Sequence, residues 1–222
     1  MAELFKDPEH AATYANRPKQ IIPGFDGLHR ITGQLIAEAS PKTILALGGG
    51  GGLETRTLLD HVPEARVCAV DPSAEMLAQG KAYLQDDARV DWVEGLIFDA
   101  PEGPFDAATC LLTLHFVPDD GAKLETLKAL RARLKSGAPF VIAHLSIDKA
   151  DPKSDLHFER YLRFAQASGM DEQALEKAHK RVREMLNCVG PERDEQLLRE
   201  AGFSGIELVF KGLYWCGWVA YA

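Results

Sequence analysis

The chain has 222 residues, 46% of them apolar and 26% charged, with a formal net charge of −8. That length suits one domain with a full core, and the acidic balance excludes a binder of bare nucleic-acid backbone, which relies on clustered Lys and Arg. No stretch approaches the roughly 18 to 20 uninterrupted apolar residues of a membrane span, and the N-terminus lacks the basic-then-apolar order of a secretory signal.

Residues 1–40 read as one or two helices, with "IPGF" (22–25) as the break between them. "TILAL" (43–47) is a predicted strand, five glycines follow, and "LETRTLLDHV" (53–62) is a predicted helix. "RVCAV" (66–70) is the next strand, and Ser73 is placed to cap a helix over 73–85. "RVDWVEG" (89–95) alternates like a strand. "FDAATCLLTLHFV" (105–117) is nearly continuous in apolar residues, as expected of a buried central strand and its exit. Asp119 or Asp120 is placed to cap a helix over 122–134, and "FVIAHLSI" (140–147) is a fifth strand. Strands alternating with helices in this way imply a parallel sheet covered on both faces.

The pattern then changes. From Asp151 to about Cys188 the chain reads as charged helices, "PERDEQLLREAGF" (191–203) as one more helix, and 205–210 and 213–222 as two strands. The link between those strands, Lys211 and Gly212, is too short for a crossover, so they must pair antiparallel. Segment 148–190 is therefore a helical insertion. The four cysteines, Cys68, Cys110, Cys188 and Cys216, form no C-x-x-C pair, and three lie in apolar runs. Buried free thiols in a reducing cytoplasm are expected.

A strand, a glycine turn and a helix start place backbone N–H groups at the carboxyl edge of a sheet, where open α/β folds bind ligands. A P-loop needs a Lys after its glycines, and none follows here. The dinucleotide fingerprint needs a glycine or alanine five residues after the first, where Leu53, Glu54 or Thr55 stands. What remains is G-x-G-x-G at Gly48, Gly50 and Gly52, with Asp71 at the tip of the next strand, 19 residues after Gly52. One carboxylate accepts from both hydroxyls of a ribose, and bare glycines let a chain pass close under a ligand.

This combination resembles the class I S-adenosylmethionine-dependent methyltransferases, over roughly residues 40–222. The resemblance implies an α/β, Rossmann-like seven-stranded sheet, mostly parallel with an antiparallel C-terminal strand and helices on both faces. It implies an N-terminal helical cap (1–40), a methyltransferase domain (41–222) and a lid formed by the insertion at about 148–190. It further implies S-adenosyl-L-methionine as cofactor, held by Gly48, Gly49, Gly50, Gly52, Asp71, Pro72, Leu96, Ile97 and Leu111. Family members commonly carry acids where this chain has Ala46 and Leu96; Glu54 or Glu94 are the nearby candidates to compensate. "IPGF", "LLTLHF" (111–116), the insertion, "AGF" (201–203) and the aromatic final strand resemble the carboxy-S-adenosylmethionine synthases. By that likeness Phe25 and either Arg181 or Arg183 lie against the cofactor, although the synthase has an Asn where this chain has Leu111.

For the chemistry, His115 is the candidate base where the fourth strand leaves the sheet, and packing of the same ring beside Phe116 and Leu114 is the competing reading. Tyr14 and Arg17, on the N-terminal helix, are candidates to cover the pocket or touch substrate. No metal site is expected. The expectation is a cytoplasmic methyltransferase, monomer or homodimer, acting on an unidentified small molecule, with no nucleic-acid or membrane partner. Carboxyl transfer onto the cofactor and a non-catalytic binding role are the alternatives.

Overall fold

The computed structural model describes residues 17–222. Eight helices and seven strands follow one another as α1 (Arg17–Ile21), α2 (Phe25–Ala37), β1 (Thr43–Leu47), α3 (Leu53–His61), β2 (Arg66–Asp71), α4 (Ala74–Tyr83), β3 (Val90–Glu94), β4 (Ala107–Leu111), α5 (Ala122–Arg131), β5 (Pro139–Leu145), α6 (Ser154–Ala167), α7 (Glu172–Lys180), α8 (Pro191–Glu200), β6 (Ser204–Gly212) and β7 (Trp215–Tyr221). The strands form one sheet in the order β3-β2-β1-β4-β5-β7-β6. β1 to β5 pair in parallel, and β7 runs antiparallel to both β5 and β6. The expected seven-stranded sheet with its terminal antiparallel hairpin is the one observed.

Alternation along the strands divides the core in two. Leu45 and Leu47 point to one face, where Val70, Cys110, Phe140, Ile142 and Trp218 meet Leu127 and Leu130 of α5 and Leu197 and Leu198 of α8. Ile44 and Ala46 point to the other, beside Leu28 and Ile36 of α2 and Leu58 and Leu59 of α3. Because both faces are covered, the central strands read as unbroken apolar runs. α2 thus belongs to the core of the sheet's face. All four cysteines are buried free thiols.

Two local expectations meet longer-range forces. Ser73 caps α4 as expected, its Oγ accepting from Met76 N–H at 3.2 Å. The cap of α5 is instead Gly121 in the left-handed region, with Asp120 accepting from Ala122 N–H and Asp119 drawn into an ion pair with Arg193 of α8. Strand β4 stops at Leu111, short of the apolar run 105–117. Leu112 turns to φ +58°, and Leu114–Phe116 form a 3₁₀ turn.

The insertion, made of α6, α7 and a π-turn over Arg181–Met185, packs at the carboxyl edge of the sheet. Phe158, Tyr161, Val182 and Leu186 form a third apolar cluster with Ile22, Phe25, Leu145 and Trp215, and Leu53 and Leu112 border it. The Trp215 indole N–H donates to the Ile21 carbonyl at 3.0 Å, tying α1 to β7.

Candidate cofactor cleft and adjoining cavity

The glycine run is a tight structure rather than a loose turn. Gly48 and Gly52 lie at φ +83° and +80°, on either side of a 3₁₀ turn over Gly49–Gly51 that leads into α3. Side chains other than glycine's strain at such φ values. Gly50 serves a different need. A Cβ there would lie 2.7 Å from the Asp71 carboxyl carbon, so the glycine makes room for that carboxylate. Asp71 is 9% exposed and accepts from Gly50 N–H at 3.3 Å and Ser73 N–H at 2.9 Å. Burial raises its pKa, and these two N–H donors pull it back down. The loop after β1 and the tip of β2 are thus locked together through the one carboxylate that sequence spacing singles out.

A cleft opens on the other side of the loop. Phe25, His29, Gly48, Gly49, Gly52, Leu53, Glu54, Leu111 and Leu112 are among its lining residues. Gly48, Gly49, Gly52, Phe25 and Leu111 therefore lie together as expected, while Gly50 and Asp71 form the loop's other flank. Pro72 continues from Asp71 at the end of β2. Leu96 and Ile97 are not part of the cleft lining: Leu96 is 47% exposed beyond β3, and Ile97 is buried in the core with Val70 and Leu114. Tyr14 lies outside the described residues; Arg17 opens α1, and its side chain is outside the described part.

Two cleft residues are buried titratable groups. Glu54 is 6% exposed, and burial pushes its pKa up to about 8, against the opposing pull of the Thr109 hydroxyl and the Leu111 backbone. His29 packs against the Phe25 ring with centroids 4.5 Å apart, and its Nδ1 lies 3.3 Å from Thr57 Oγ1. Burial lowers its pKa to about 4, so it is neutral at physiological pH. The only sequence signal for either is its helix face, since Glu54 precedes Leu58 by four and His29 follows Phe25 by four, and that spacing does not say which side chain is buried.

Beyond Phe25, Leu53 and Leu112 lies a second cavity under the insertion. Its lining includes His115, Phe116, Tyr161, Met170, Arg181 and Trp215. Of the two candidate arginines, Arg181 lines this cavity. Arg183 instead turns to Asp155 at 2.7 Å and lies over the Phe158 ring. His115 is 3% exposed, and burial holds its pKa well below 6.5. Its Nδ1 accepts from Leu145 N–H at 3.4 Å, which assigns the ring proton to Nε2. In this tautomer the ring's other nitrogen, Nε2, is a donor. His144, its neighbour at 6.5 Å, is buried against Trp218, with Nε2 2.9 Å from Asp194 Oδ1. Ser146 Oγ donates to the other Asp194 oxygen at 2.7 Å.

Lys123 fixes the geometry of the β4 exit. Its fully buried ammonium donates to the carbonyls of Leu114 (3.0 Å), Val117 (2.5 Å) and Asn187 (2.7 Å), so one side chain joins the His115 turn to the end of the insertion. Asn187 adds a backbone bond to the His115 carbonyl and a side-chain bond to that of Phe116. Among the described residues no cluster of His, Cys, Asp and Glu is arranged to hold a metal ion, and no helix is long and apolar enough to cross a membrane.

Residues 45–140 match the family model of a methyltransferase domain. The chain is 29% identical over 213 residues to the carboxy-S-adenosyl-L-methionine synthase of Pseudomonas putida strain GB-1, covering 91% of this chain and 86% of that protein. It is 36% identical over 91 residues to the trans-aconitate 2-methyltransferase of Azoarcus sp. strain BH72, covering 40% of this chain and 35% of that protein. Its fold is similar to that of PigF with SAH (TM-score 0.67, 17% identity, 99% of this chain and 61% of that one). It is also similar to human N-acetylserotonin methyltransferase in complex with SAM (TM-score 0.58, 18% identity, 95% of this chain and 57% of that one). The chain spans about six-tenths of the length of those solved chains. Residues 45–140 thus match a methyltransferase domain, the fold is that of the solved methyltransferases, and the chain resembles the carboxy-S-adenosyl-L-methionine synthases over nine-tenths of its length.

Proposed function

We propose that the chain is a cytoplasmic enzyme that binds S-adenosyl-L-methionine at the glycine loop and transfers its methyl group to a small acceptor enclosed beneath the insertion. The observation that carries this reading is adjacency. Phe25, Leu53 and Leu112 line the cleft at the glycine loop and pack in the same apolar cluster as Tyr161, Leu145 and Trp215, which line the cavity with His115 and Arg181. The residues fit the cofactor: Gly48 and Gly52 keep the loop bare where it lines the cleft, and Asp71, which Gly50 makes room for, presents a fixed carboxylate suited to a ribose diol. When bound, the cofactor supplies a methyl group on a sulfonium.

The chain's own residues then bind, orient and exclude water, which is most of what an in-line displacement asks of a protein. Asp71 and the loop N–H groups hold the nucleoside. Trp215, Phe116 and Met170 keep the cavity apolar, the neutral His115 offers an N–H to orient an acceptor atom, and Arg181 supplies a positive charge suited to an anionic acceptor. α6 and α7 act as the lid, and the small volume they close off suits a metabolite rather than a polymer.

A second reading draws on Arg181 and on the synthase relatives: carboxyl transfer onto the cofactor's methyl carbon. Calorimetric titration with S-adenosylhomocysteine tests the shared premise. Losing the Asp71 carboxylate in Asp71→Ala should weaken binding about 10- to 100-fold. Binding indifferent to that substitution refutes the cofactor reading. Mass spectrometry of ligand released from the purified protein separates the two reactions, because carboxyl transfer leaves a nucleoside heavier by one carboxylate.

A further inference from the structure

Leu112 stands in a backbone conformation that leucine rarely adopts. Its φ of +58° is one of five positive values outside glycine among the described residues. Ser40, Gln85 and Asp86 follow the ends of α2 and α4, and Leu213 turns the β6–β7 hairpin, where such values are ordinary. Leu112 instead follows directly on the buried strand β4 and still donates its N–H to the Ala143 carbonyl of β5 at 2.6 Å. That conformation is strained for a side chain of this size, and strain of this kind persists where the surroundings over-determine it. Both neighbours do so. Leu111 stays in register with Ala143, and the Thr113 hydroxyl donates to the Leu111 carbonyl at 2.9 Å. The Thr113 side chain also fills the space beside Gly48, where a Cβ on the glycine would collide with it.

The turn changes which way Leu112 faces. Along β4, Ala107 and Leu111 point to the α2–α3 face of the sheet, and Ala108 and Cys110 to the α5–α8 face. Alternation would send residue 112 to the α5–α8 face. Instead it packs against both the α2–α3 cluster and the cluster beneath the insertion, and it lines the glycine cleft. The strained turn therefore carries this side chain to the place where the cleft meets the lining of the cavity, beside the three-residue 3₁₀ turn that holds His115. Phe25 and Leu53 reach the same place from the starts of α2 and α3, and Leu112 alone of the three is held by the sheet.

We propose that Leu112 is a specificity-determining residue, whose side chain closes the cleft towards the cavity and limits the third substituent on the cofactor's sulfur to the size of a methyl group. The assignment rests on the cofactor reading above and deepens it by naming what sets the size of the group the cofactor can carry. Any group on the sulfur that faces the cavity must fit against this boundary. A Cβ fixed by strand register on one side and by Thr113 on the other cannot shift to make room, so the limit is steric.

Calorimetric titration with three ligands tests this. S-adenosyl-L-methionine carries a methyl group on sulfur, S-adenosyl-L-ethionine carries one more methylene, and S-adenosylhomocysteine carries no third group. The wild type should bind the ethionine analogue about 10- to 100-fold more weakly than S-adenosyl-L-methionine, as expected for one methylene too many in a closed apolar site. In Leu112→Ala that ratio should fall to about threefold or less, while S-adenosylhomocysteine binds within about threefold of the wild type. General damage to the cleft would weaken all three ligands together and leave the ratio where it was. Leu112→Gly, which is free of the strain of a positive φ, repeats the test should Leu112→Ala fail to fold. Equal binding of the two sulfonium ligands by the wild type, or a wild-type ratio kept in the variant, overturns the assignment. The wild-type measurement needs no variant to fold. Failure of all three ligands to bind the wild type would instead overturn the cofactor reading beneath it.

Discussion

Burial of Glu54 makes a prediction about stability that needs no ligand. The perturbation is Glu54→Gln. In the folded chain the carboxyl is held neutral up to a pKa of about 8, against 4.5 when unfolded. The folded state therefore binds the proton more tightly. Stability from this group is fully present below about pH 4.5 and is lost as pH rises towards 8. Each pH unit in that window costs about 1.4 kcal/mol, so three units from pH 5 to pH 8 cost roughly 4 kcal/mol. Glutamine does not titrate. The wild type should therefore lose about 4 kcal/mol relative to the variant between pH 5 and pH 8, and nothing further above that. Urea unfolding of both proteins at matched ionic strength reads this directly, and comparison cancels titrations of groups that do not couple to Glu54. A stability difference that stays constant to within about 1 kcal/mol across the window would refute the placement of Glu54 in a dry site.

Two other positions make comparable demands. Gly80→Ala would put a Cβ against the Gly50 carbonyl oxygen and 2.5 Å from the Trp92 ring. It should cost ~1–3 kcal/mol by overpacking and weaken S-adenosylhomocysteine binding as the loop shifts; unchanged melting and unchanged binding would count against the tight loop described above. Lys123→Met would leave the carbonyls of Leu114, Val117 and Asn187 without their shared donor. It should cost ~3–5 kcal/mol and lower Tm by about 6–20 °C, whereas a melting point within 2 °C (about 1 kcal/mol) of the wild type would sink the role given to this ammonium.

Much of the cofactor flank was legible because it depends on local chemistry. A strand ending in glycines, an acid at the tip of the next strand and Ser73 before a helix each act over a few residues, and each stands where spacing predicts. The acceptor side was less legible. Asp119 looked like a cap until Arg193, 74 residues away, offered it a charge. Arg181 and Arg183 are two apart on one helical segment, and sequence could not say which turned inward. For His115, sequence does not show the Leu145 N–H that its Nδ1 accepts.

The amino-acid pattern by itself determined the parallel sheet, the hairpin that closes it, the insertion and the position of the glycine loop against Asp71. Periodicity and glycine placement are written residue by residue, so they survive without knowledge of the fold. The tertiary structure alone decided which polar groups lost their water. Glu54, His29, His115 and Lys123 are ordinary surface residue types, and burial by elements far along the chain set their protonation and their partners. Desolvation depends on everything packed around a group, and no short stretch of sequence contains that information.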